Sequence, residues 1–206
     1  MYHQVRLGKV KTSKTELTDI AKAWLALSLA FAFIYSGANL LDGTLARVVS
    51  SSFVLTFVIS LFTAGLGFLL HELAHKFVAQ KYGCVAEFRA FDQMLYLAVG
   101  LAIFIGFIFA APGAVMISGM ITRRENGLVS VVGPATNYVL GLLFLAGIFL
   151  FPAWAAIFSV GFGINMWLGL FNLIPFGNLD GLKVFYWNKV VWLLMVAIGV
   201  YFVFLY

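Results

Sequence analysis

Long apolar stretches separated by short polar segments make up most of the chain. Each stretch is close in length to the roughly 20 residues that a helix needs to cross about 30 Å of hydrocarbon. The polar and basic arm before them, residues 1–19, contains an alternating Val5-Arg6-Leu7 segment that favours an edge strand. The pattern therefore predicts an all-α, polytopic membrane protein with about six transmembrane helices, over Ala23–Leu41, Val54–Leu70, Met94–Ala111, Leu128–Phe151, Ala153–Ile174 and Val190–Tyr206.

The segment 111–120 is apolar but is interrupted by proline and glycine, at Pro112, Gly113 and Gly119. These residues make it a poor helix, and we expect instead a short membrane-associated β-strand or re-entrant element around 111–120. Irregular backbone at membrane depth is tolerated only where it is buried in protein or lines a wet cavity. Two arrangements stay open. Either Met94–Ala111 is a full span and the next segment returns as a strand, or the whole region is one re-entrant excursion.

The composition excludes a soluble globular protein. Hydrophobic residues make up 63% of the 206 residues and charged residues 10%, and the mean hydropathy is +1.03, so no polar surface can cover the chain. We expect residues 1–206 to form a single membrane-embedded domain without a cleavable signal peptide. The single cysteine, Cys84, excludes an internal disulfide and a cysteine-based zinc site.

The net charge is +5, but the basic residues lie at the ends of the apolar stretches rather than along one stripe, which argues against nucleic acid as a partner. Basic residues beside membrane spans favour the cytoplasmic side. We therefore expect a multi-pass protein of the cell membrane whose N-terminal arm, residues 1–19, is cytoplasmic. A return of the chain near residue 120 leaves Arg47 as the only basic residue outside. The residues that it brings to the cytoplasmic side are Arg123, Arg124, Lys183 and Lys189.

The segment His71-Glu72-Leu73-Ala74-His75 follows directly on an apolar stretch. Its two histidines are four residues apart, so on a helix they share one face and can bind a single cation. Glu72 lies beside them without being a ligand, in a position to act as general base on water at that cation. An ionisable group at membrane depth costs roughly 2–4 kcal/mol and usually marks function. This favours a metal site over a hydrogen-bonded pair of core histidines. The third histidine of the chain, His3, lies in the polar arm.

A hydrolytic zinc site usually has three protein ligands and one water, and with no histidine left the third ligand must be acidic. Most of the eight acidic residues lie in the arm, in loops or at the ends of apolar stretches. Asp180 follows Pro175 and Gly177, which can open a helix and turn a carboxylate inward. It lies at the same depth as the two histidines in the predicted topology. We therefore predict His71, His75 and Asp180 as metal ligands, with an ordinary Asp-Gly turn as the alternative.

Two asparagines within the apolar stretches are further candidates. Asn172 lies eight residues before Asp180, and its amide can donate a hydrogen bond to the oxyanion of a tetrahedral intermediate. A hydrogen bond between helices is equally compatible with its position. Asn137 follows Gly133 and Pro134, and it can face either the metal site or a neighbouring helix. We interpret Gly133 as a site of close packing and Pro134 as a kink in a helix.

At these residues the chain resembles the site-2 proteases, a family of intramembrane zinc metalloproteases, in its compact prokaryotic and archaeal type without PDZ or CBS domains. The resemblance implies a catalytic core of about residues 54–181. Three motifs carry it in the family's order: His71-Glu72-Leu73-Ala74-His75-Lys76, Gly133-Pro134-x-x-Asn137, and Asn172-Leu173-Ile174-Pro175 leading to Leu179-Asp180-Gly181.

The resemblance also implies roles for individual residues. Glu72 would be the catalytic glutamate and Asn172 a catalytic helper, while Asn137 would contribute to substrate binding. Gly113 and Val115 would lie on a strand with which an unwound substrate pairs by β-addition. The ligands that it implies for one Zn²⁺ per chain are His71, His75 and Asp180.

The predicted reaction is hydrolysis of peptide bonds in transmembrane segments of membrane-protein substrates, with Glu72 as general base and a water activated by zinc. The expected partners are a transmembrane protein substrate and the lipid bilayer, with the active site toward the cytoplasmic side; the oligomeric state stays open. A catalytically silent metal-binding scaffold and a metal transporter are the alternatives, but neither gives Glu72 a reason to flank the ligands. Prenyl-protein endopeptidases share the histidine motif but use a distant glutamate, for which no motif is visible.

Overall fold

The computed structural model describes residues 4–7, 10–108 and 112–206; His3 and the end of the Met94–Ala111 stretch lie outside them. Within the described residues the chain is largely helical, as predicted. Two of the predicted spans are shorter apolar helices, Asp92–Ile105 and Lys189–Leu205, so the number of six full spans stays a prediction. The helices that are long and apolar enough to cross a membrane are Lys14–Ser36, Ser51–Lys81, Arg123–Leu150 and Pro152–Asn172.

All strands of the described residues lie in the first 118 positions, and the chain after the last strand is helical. The chain divides into two compact units, Met1–Leu66 with Glu87–Met116 and Gly67–Ala86 with Ile117–Tyr206. In chain order the elements are β1 (Gln4–Leu7), β2 (Val10–Ser13), α1 (Lys14–Ser36), α2 (Ser51–Ser60), α3 (Leu66–Lys81), β3 (Val85–Ala90), α4 (Asp92–Ile105), β4 (Gly113–Ser118), α5 (Arg123–Leu150), α6 (Ala155–Asn172), α7 (Asp180–Trp187) and α8 (Lys189–Val200).

The first unit begins with an antiparallel hairpin of β1 and β2, in which Gln4 pairs with Ser13. The predicted strand at Val5-Arg6-Leu7 is part of this hairpin. The Ser13 hydroxyl accepts a hydrogen bond from the backbone N–H of Glu16 at 3.1 Å and so caps α1. The buried Glu16 carboxylate accepts from the backbone N–H of Phe88 in β3 at 2.9 Å, which fastens α1 to the second strand pair.

β3 and β4 form a second two-stranded sheet, with α4 between them in the chain. The backbone N–H of Phe91 donates to the carbonyl of Pro112 at 3.1 Å, so the chain returns to its starting point after α4. Gly113 permits a close approach of the strands, because a Cβ there would lie 2.5 Å from the carbonyl oxygen of Arg89. β4 lies in the segment predicted as a strand, whereas β3 was not predicted.

Helix α4 runs beside α1 in the same direction. Near the start of α4, Lys22 Nζ of α1 lies 2.7 Å from the Asp92 carboxylate. Near its end, the backbone N–H of Leu40, in the loop after α1, donates to the carbonyl of Ile103 at 2.8 Å. The 14 residues of α4 rise about 21 Å at about 1.5 Å per residue, which is less than the about 30 Å of a hydrocarbon core.

A π-helical turn, Leu61–Gly65, joins α2 to α3 within the continuous helix Ser51–Lys81 that carries the two histidines. The indole N–H of Trp24 donates to the carbonyl of Leu61 at 2.9 Å. Gly65 leaves room for this indole, since a Cβ there would lie 2.8 Å from the Trp24 ring. A π turn releases backbone groups from the α-helical pattern, and the Trp24 indole binds one carbonyl of this turn.

Helix α5 of the second unit begins with a capping box. The Thr122 side chain accepts from the backbone N–H of Glu125 at 3.2 Å, and the Glu125 carboxylate accepts from the backbone N–H of Thr122 at 2.7 Å.

Helices α5 and α6 pack closely because glycines line their interface. Small residues allow membrane helices to approach without a gap. A Cβ on any of four glycines would lie 2.4–2.7 Å from a facing side chain, in the pairs Gly141–Met166, Gly147–Phe158, Gly161–Phe144 and Gly169–Tyr138.

Candidate metal centre

The imidazoles of His71 and His75 lie on one face of α3, as their spacing predicts. Their ring centroids are 4.7 Å apart with the planes at 80°, and both side chains are buried. Asp180, the first residue of α7, is buried beside them. Its Oδ2 atom lies 3.1 Å from His71 Nε2 and 3.0 Å from His75 Nε2. The three predicted ligands therefore form one cluster.

The geometry of this cluster fits a zinc ion. The three donor atoms all lie within 4.8 Å of one another, and ligands at bond lengths of about 2.0–2.2 Å from tetrahedral zinc lie about 3.3 Å apart. Two imidazole nitrogens and one carboxylate oxygen are a donor set found in catalytic zinc sites, where the fourth position is left for water or substrate.

Gly133 in α5 leaves space beside both imidazoles. A Cβ on this residue would lie 2.4 Å from His75 Nε2 and 2.6 Å from His71 Nε2. Any larger residue would therefore displace the two nitrogens that face Asp180. The close packing predicted at Gly133 is therefore packing against the imidazoles of the two candidate ligands.

The Asp180 carboxyl lies outside the long apolar helices. Burial opposes its ionisation, but the neighbouring His75 and His71 imidazoles outweigh burial through charge and hydrogen bonds, and they hold the pKa of Asp180 below its usual range. Its second oxygen, Oδ1, lies 3.8 Å from the ammonium of Lys183. Asp180 is therefore ionised at neutral pH, as a carboxylate ligand of a metal must be.

The second nitrogen of each imidazole contacts an oxygen atom. His71 Nδ1 lies 2.6 Å from the side-chain Oδ1 of Asn137, and His75 Nδ1 lies 2.7 Å from the backbone carbonyl of Val129. An amide or carbonyl oxygen can only accept, so both Nδ1 atoms carry the hydrogen. With Nδ1 engaged in this way, Nε2 of each imidazole, the atom that faces Asp180, is the nitrogen left to bind a metal.

A turn between α6 and α7 brings Asp180 to the histidines. Gly177 has the left-handed φ of +60° in this turn, which agrees with the predicted opening of the helix here. The indole N–H of Trp192 donates to the carbonyl of Leu173 at 2.8 Å. A Cβ on Gly181 would lie 2.1 Å from the same carbonyl oxygen, so the start of α7 packs directly on the end of α6. The short helix α7 was not predicted.

The sequence is 38% identical over 186 residues to "Putative zinc metalloprotease MJ0611" of Methanocaldococcus jannaschii, and the match covers 87% of this chain and 88% of that protein. The chain belongs to the site-2 protease family of zinc metalloproteases. It is also 29% identical over 143 residues to "Putative zinc metalloprotease YwhC" of Bacillus subtilis, covering 57% of this chain and 63% of that protein.

A further relative is "Zinc metalloprotease MJ0392" of Methanocaldococcus jannaschii, at 24% identity over 188 residues. That match covers 89% of this chain and 45% of the relative. No family model matches the sequence, and no solved structure is significantly similar to it. The names of the relatives support zinc as the metal of this site-2 protease.

The remaining predicted site residues of this site-2 protease lie as follows. Glu72 is half-buried in α3, between the two ligand positions. The side-chain amide of Asn172 donates to the carbonyl of Leu168, four residues earlier, at 2.9 Å. Gly113 is buried and Val115 half-buried in β4. The catalytic and substrate-binding roles of these residues stay predictions.

Asn137 is buried, and all of its hydrogen bonds that the structure describes are within the protein. Besides His71 it contacts the carbonyl of Gly67 at 3.2 Å and the side chain of Asn165 at 3.1 Å. Its predicted contribution to substrate binding stays a prediction, while its observed contact is with His71, a candidate metal ligand. Asn165 was not predicted as a site residue, although a carboxamide in the middle of an apolar stretch is itself an indication of function. The Val129 carbonyl could not be identified, because every residue has one.

Proposed function

We propose that this protein is an intramembrane zinc endopeptidase that hydrolyses peptide bonds in transmembrane segments of membrane-protein substrates. The observation that carries the proposal is the buried cluster of His71, His75 and Asp180, with Glu72 between its two histidines. The cluster is attached to a long apolar helix, and a hydrolytic site in such a helix can act on substrates within the membrane. Membership of a metalloprotease family supports the reaction type.

In this proposal His71, His75 and Asp180 hold one zinc ion. When bound, zinc acts as a Lewis acid and lowers the pKa of a coordinated water toward about 7. The Glu72 carboxylate accepts the proton of the attacking water and later returns it to the leaving amine. The Asn172 amide donates to the oxyanion with one of its two N–H groups, while the other can keep its hydrogen bond to the Leu168 carbonyl.

We propose that the N-terminus is cytoplasmic. We also propose that the chain between β3 and β4 enters the membrane from the cytoplasmic side and returns to that side. The pairing of β3 with β4 supports this return, because paired strands lie side by side. The contact of Ile103 with the loop after α1 supports a hairpin that runs out as a helix and comes back. With Lys189–Leu205 as the last span, six apolar helices enter the membrane and the ligands face the cytoplasmic side.

A substrate helix must unwind before its peptide carbonyl can be attacked, because that carbonyl is hydrogen-bonded within the helix. We propose that the unwound segment extends the sheet by β-addition at β4, which includes Gly113 and Val115. The exposed side chains of Met116 and Ile117 on this strand give an apolar substrate segment a surface to contact.

The test measures zinc content and cleavage together, with full-length protein in bilayer nanodiscs and a transmembrane substrate in the same discs. We expect about one zinc per chain in the wild type, and loss of zinc and cleavage in His75→Ala and in Asp180→Ala. Glu72→Gln should keep its zinc and lose about 10²–10⁴-fold in rate, the usual contribution of a general base. A folded wild type without zinc, or Glu72→Gln at wild-type rate, would overturn the proposal.

A further inference from the structure

A chain of buried hydrogen bonds runs from a backbone carbonyl in α6 to the His71 imidazole. Asn165 Nδ2 lies 2.9 Å from the Gly161 carbonyl, and Asn165 Oδ1 lies 3.1 Å from Asn137 Nδ2. Asn137 Oδ1 then lies 2.6 Å from His71 Nδ1. We propose that Asn165 is a positioning residue, which fixes the tautomer and orientation of His71 through Asn137. The inference rests on the metal site proposed above and adds a residue to it.

The series of hydrogen bonds has a fixed direction because it begins at a carbonyl oxygen, which can only accept a hydrogen bond. The Gly161 carbonyl accepts from the amide N–H of Asn165, which turns the Asn165 oxygen toward Asn137. That oxygen accepts from the amide N–H of Asn137, as does the Gly67 carbonyl at 3.2 Å. The remaining atom of the Asn137 amide is its oxygen, and this oxygen faces His71. Each group in the chain therefore determines the orientation of the next.

The orientation of Asn137 decides whether His71 can bind a metal. With the amide oxygen toward the imidazole, Nδ1 carries a hydrogen, and Nε2 is the nitrogen that can give its lone pair to a metal. If the Asn137 amide rotated by half a turn, its N–H would face Nδ1. The hydrogen would then move to Nε2, and the ligand atom would lose its lone pair. Asn165 is one of only two described acceptors that hold Asn137 against this rotation, and Gly67 supplies the other.

The two histidines differ in this respect. His75 Nδ1 contacts the backbone carbonyl of Val129, whose orientation is fixed by α5 and cannot invert. His71 depends on a side-chain amide, which can rotate. Asn137 and Asn165 are both 0% exposed, so protein groups rather than bulk solvent must set their orientation.

The structure also makes room for Asn165. A Cβ on Gly67 would lie 2.4 Å from Asn165 Oδ1, so α3 approaches the carboxamide closely only because residue 67 is a glycine. The close approach at Gly67 and the directed hydrogen bonds are two separate features, and both concern the same carboxamide.

The first test is the zinc affinity of Asn165→Leu, which removes both polar atoms and keeps the number and branching of the heavy atoms. Removing such support from a metal ligand typically weakens binding by about 10–100-fold, and we expect a loss in this range. Affinity is measured on the full-length chain in nanodiscs by competition with a fluorescent zinc chelator. Asn165→Ala, which removes the same atoms without adding bulk, gives the same test if the leucine variant does not fold.

The matched control is Asn188→Ala. The Asn188 side chain accepts from the backbone N–H groups of Val190 and Val191 at 3.0 and 3.2 Å and caps α8. Its removal should lower the melting temperature and leave the zinc affinity unchanged. A loss of affinity in both variants would mean that general destabilisation, rather than positioning, explains the effect.

The decisive test is a rescue by Asn137→Asp. A carboxylate can only accept, so Asp at this position keeps the hydrogen on His71 Nδ1 whether or not Asn165 is present. Asn165→Leu should therefore weaken zinc binding in the wild-type background and cause no further loss in the Asn137→Asp background. The visible absorption of the Co²⁺-loaded protein, which reports ligand geometry, should change in Asn165→Leu and return toward the background spectrum in the double variant.

The outcomes separate this inference from the proposed function. A wild type that binds neither zinc nor Co²⁺ overturns the metal site itself. A wild type that binds zinc, together with a folded Asn165→Leu of equal affinity and equal Co²⁺ spectrum, overturns the positioning role alone. An equal loss in both backgrounds also overturns it, because the effect would then not pass through Asn137.

Discussion

A Cβ on Gly133 would lie 2.4 Å from Nε2 of His75. Non-bonded carbon and nitrogen atoms do not approach so closely, and the facing Asp180 carboxylate, 3.0 Å from this nitrogen, limits how far the imidazole can move. We therefore predict that Gly133→Ala displaces the candidate ligands and lowers zinc affinity by at least about tenfold, as measured by chelator competition.

Gly163→Ala is the control for this substitution. Gly163 lies in α6, and a Cβ there would have no neighbour within 4 Å among the described atoms. Replacement of a helical glycine by alanine is ordinarily stabilising by about 0.5–1 kcal/mol, so this variant should melt at or above the wild-type temperature with unchanged zinc affinity. Wild-type zinc affinity in Gly133→Ala would show that the imidazoles can move without consequence.

We expect the Trp192 indole to contribute to zinc affinity as well as to stability. Its N–H donates to the carbonyl of Leu173, at the start of the turn that leads to Asp180. Trp192→Phe leaves that carbonyl without this donor, which costs about 1–3 kcal/mol where the group is buried. We expect a lower melting temperature and a weaker zinc affinity. Trp154→Phe, at an indole that is 61% exposed, should change neither, and zinc binding as strong in Trp192→Phe as in the wild type would contradict the expectation.

The sequence predicts the candidate ligands that the structure brings together, because their chemistry is local. The spacing of His71 and His75 sets a shared helix face whatever surrounds the helix, and Asp180 is found by excluding other acids. β3 and α7 were missed because each is a short element stabilised by tertiary contacts, such as the packing of Gly181 on Leu173. The supports of the imidazoles are equally non-local. Asn137 and Asn165 are separated from His71 by 66 or more positions, so their hydrogen bonds depend on how α3, α5 and α6 pack.

The proposed topology predicts which residues a membrane-impermeant thiol reagent can reach. Cys84 is the single native cysteine, so Cys84→Ala provides a background without one. In sealed cells, Arg47→Cys should be labelled from outside, whereas Arg124→Cys and Lys189→Cys should be labelled only after the membrane is permeabilised. All three native side chains are exposed, so labelling reports sidedness rather than burial. Labelling of Arg124→Cys in intact cells would mean that the chain does not return between β3 and β4.

The last prediction concerns the substrate. If unwinding precedes attack by water, cleavage should rise with the fraction of substrate that is unwound at the scissile bond. A helix-interior glycine is less favourable than alanine by about 1 kcal/mol, which corresponds to about a fivefold change in an equilibrium. An alanine-to-glycine change beside the scissile bond should therefore raise kcat/KM about fivefold, and two such changes about 25-fold if they are additive. The measurement compares these substrates with an uninterrupted leucine segment of equal length. Glu72→Gln serves as the background for protease contamination. Equal cleavage of the leucine segment and the glycine-containing substrates would show that unwinding does not limit the reaction.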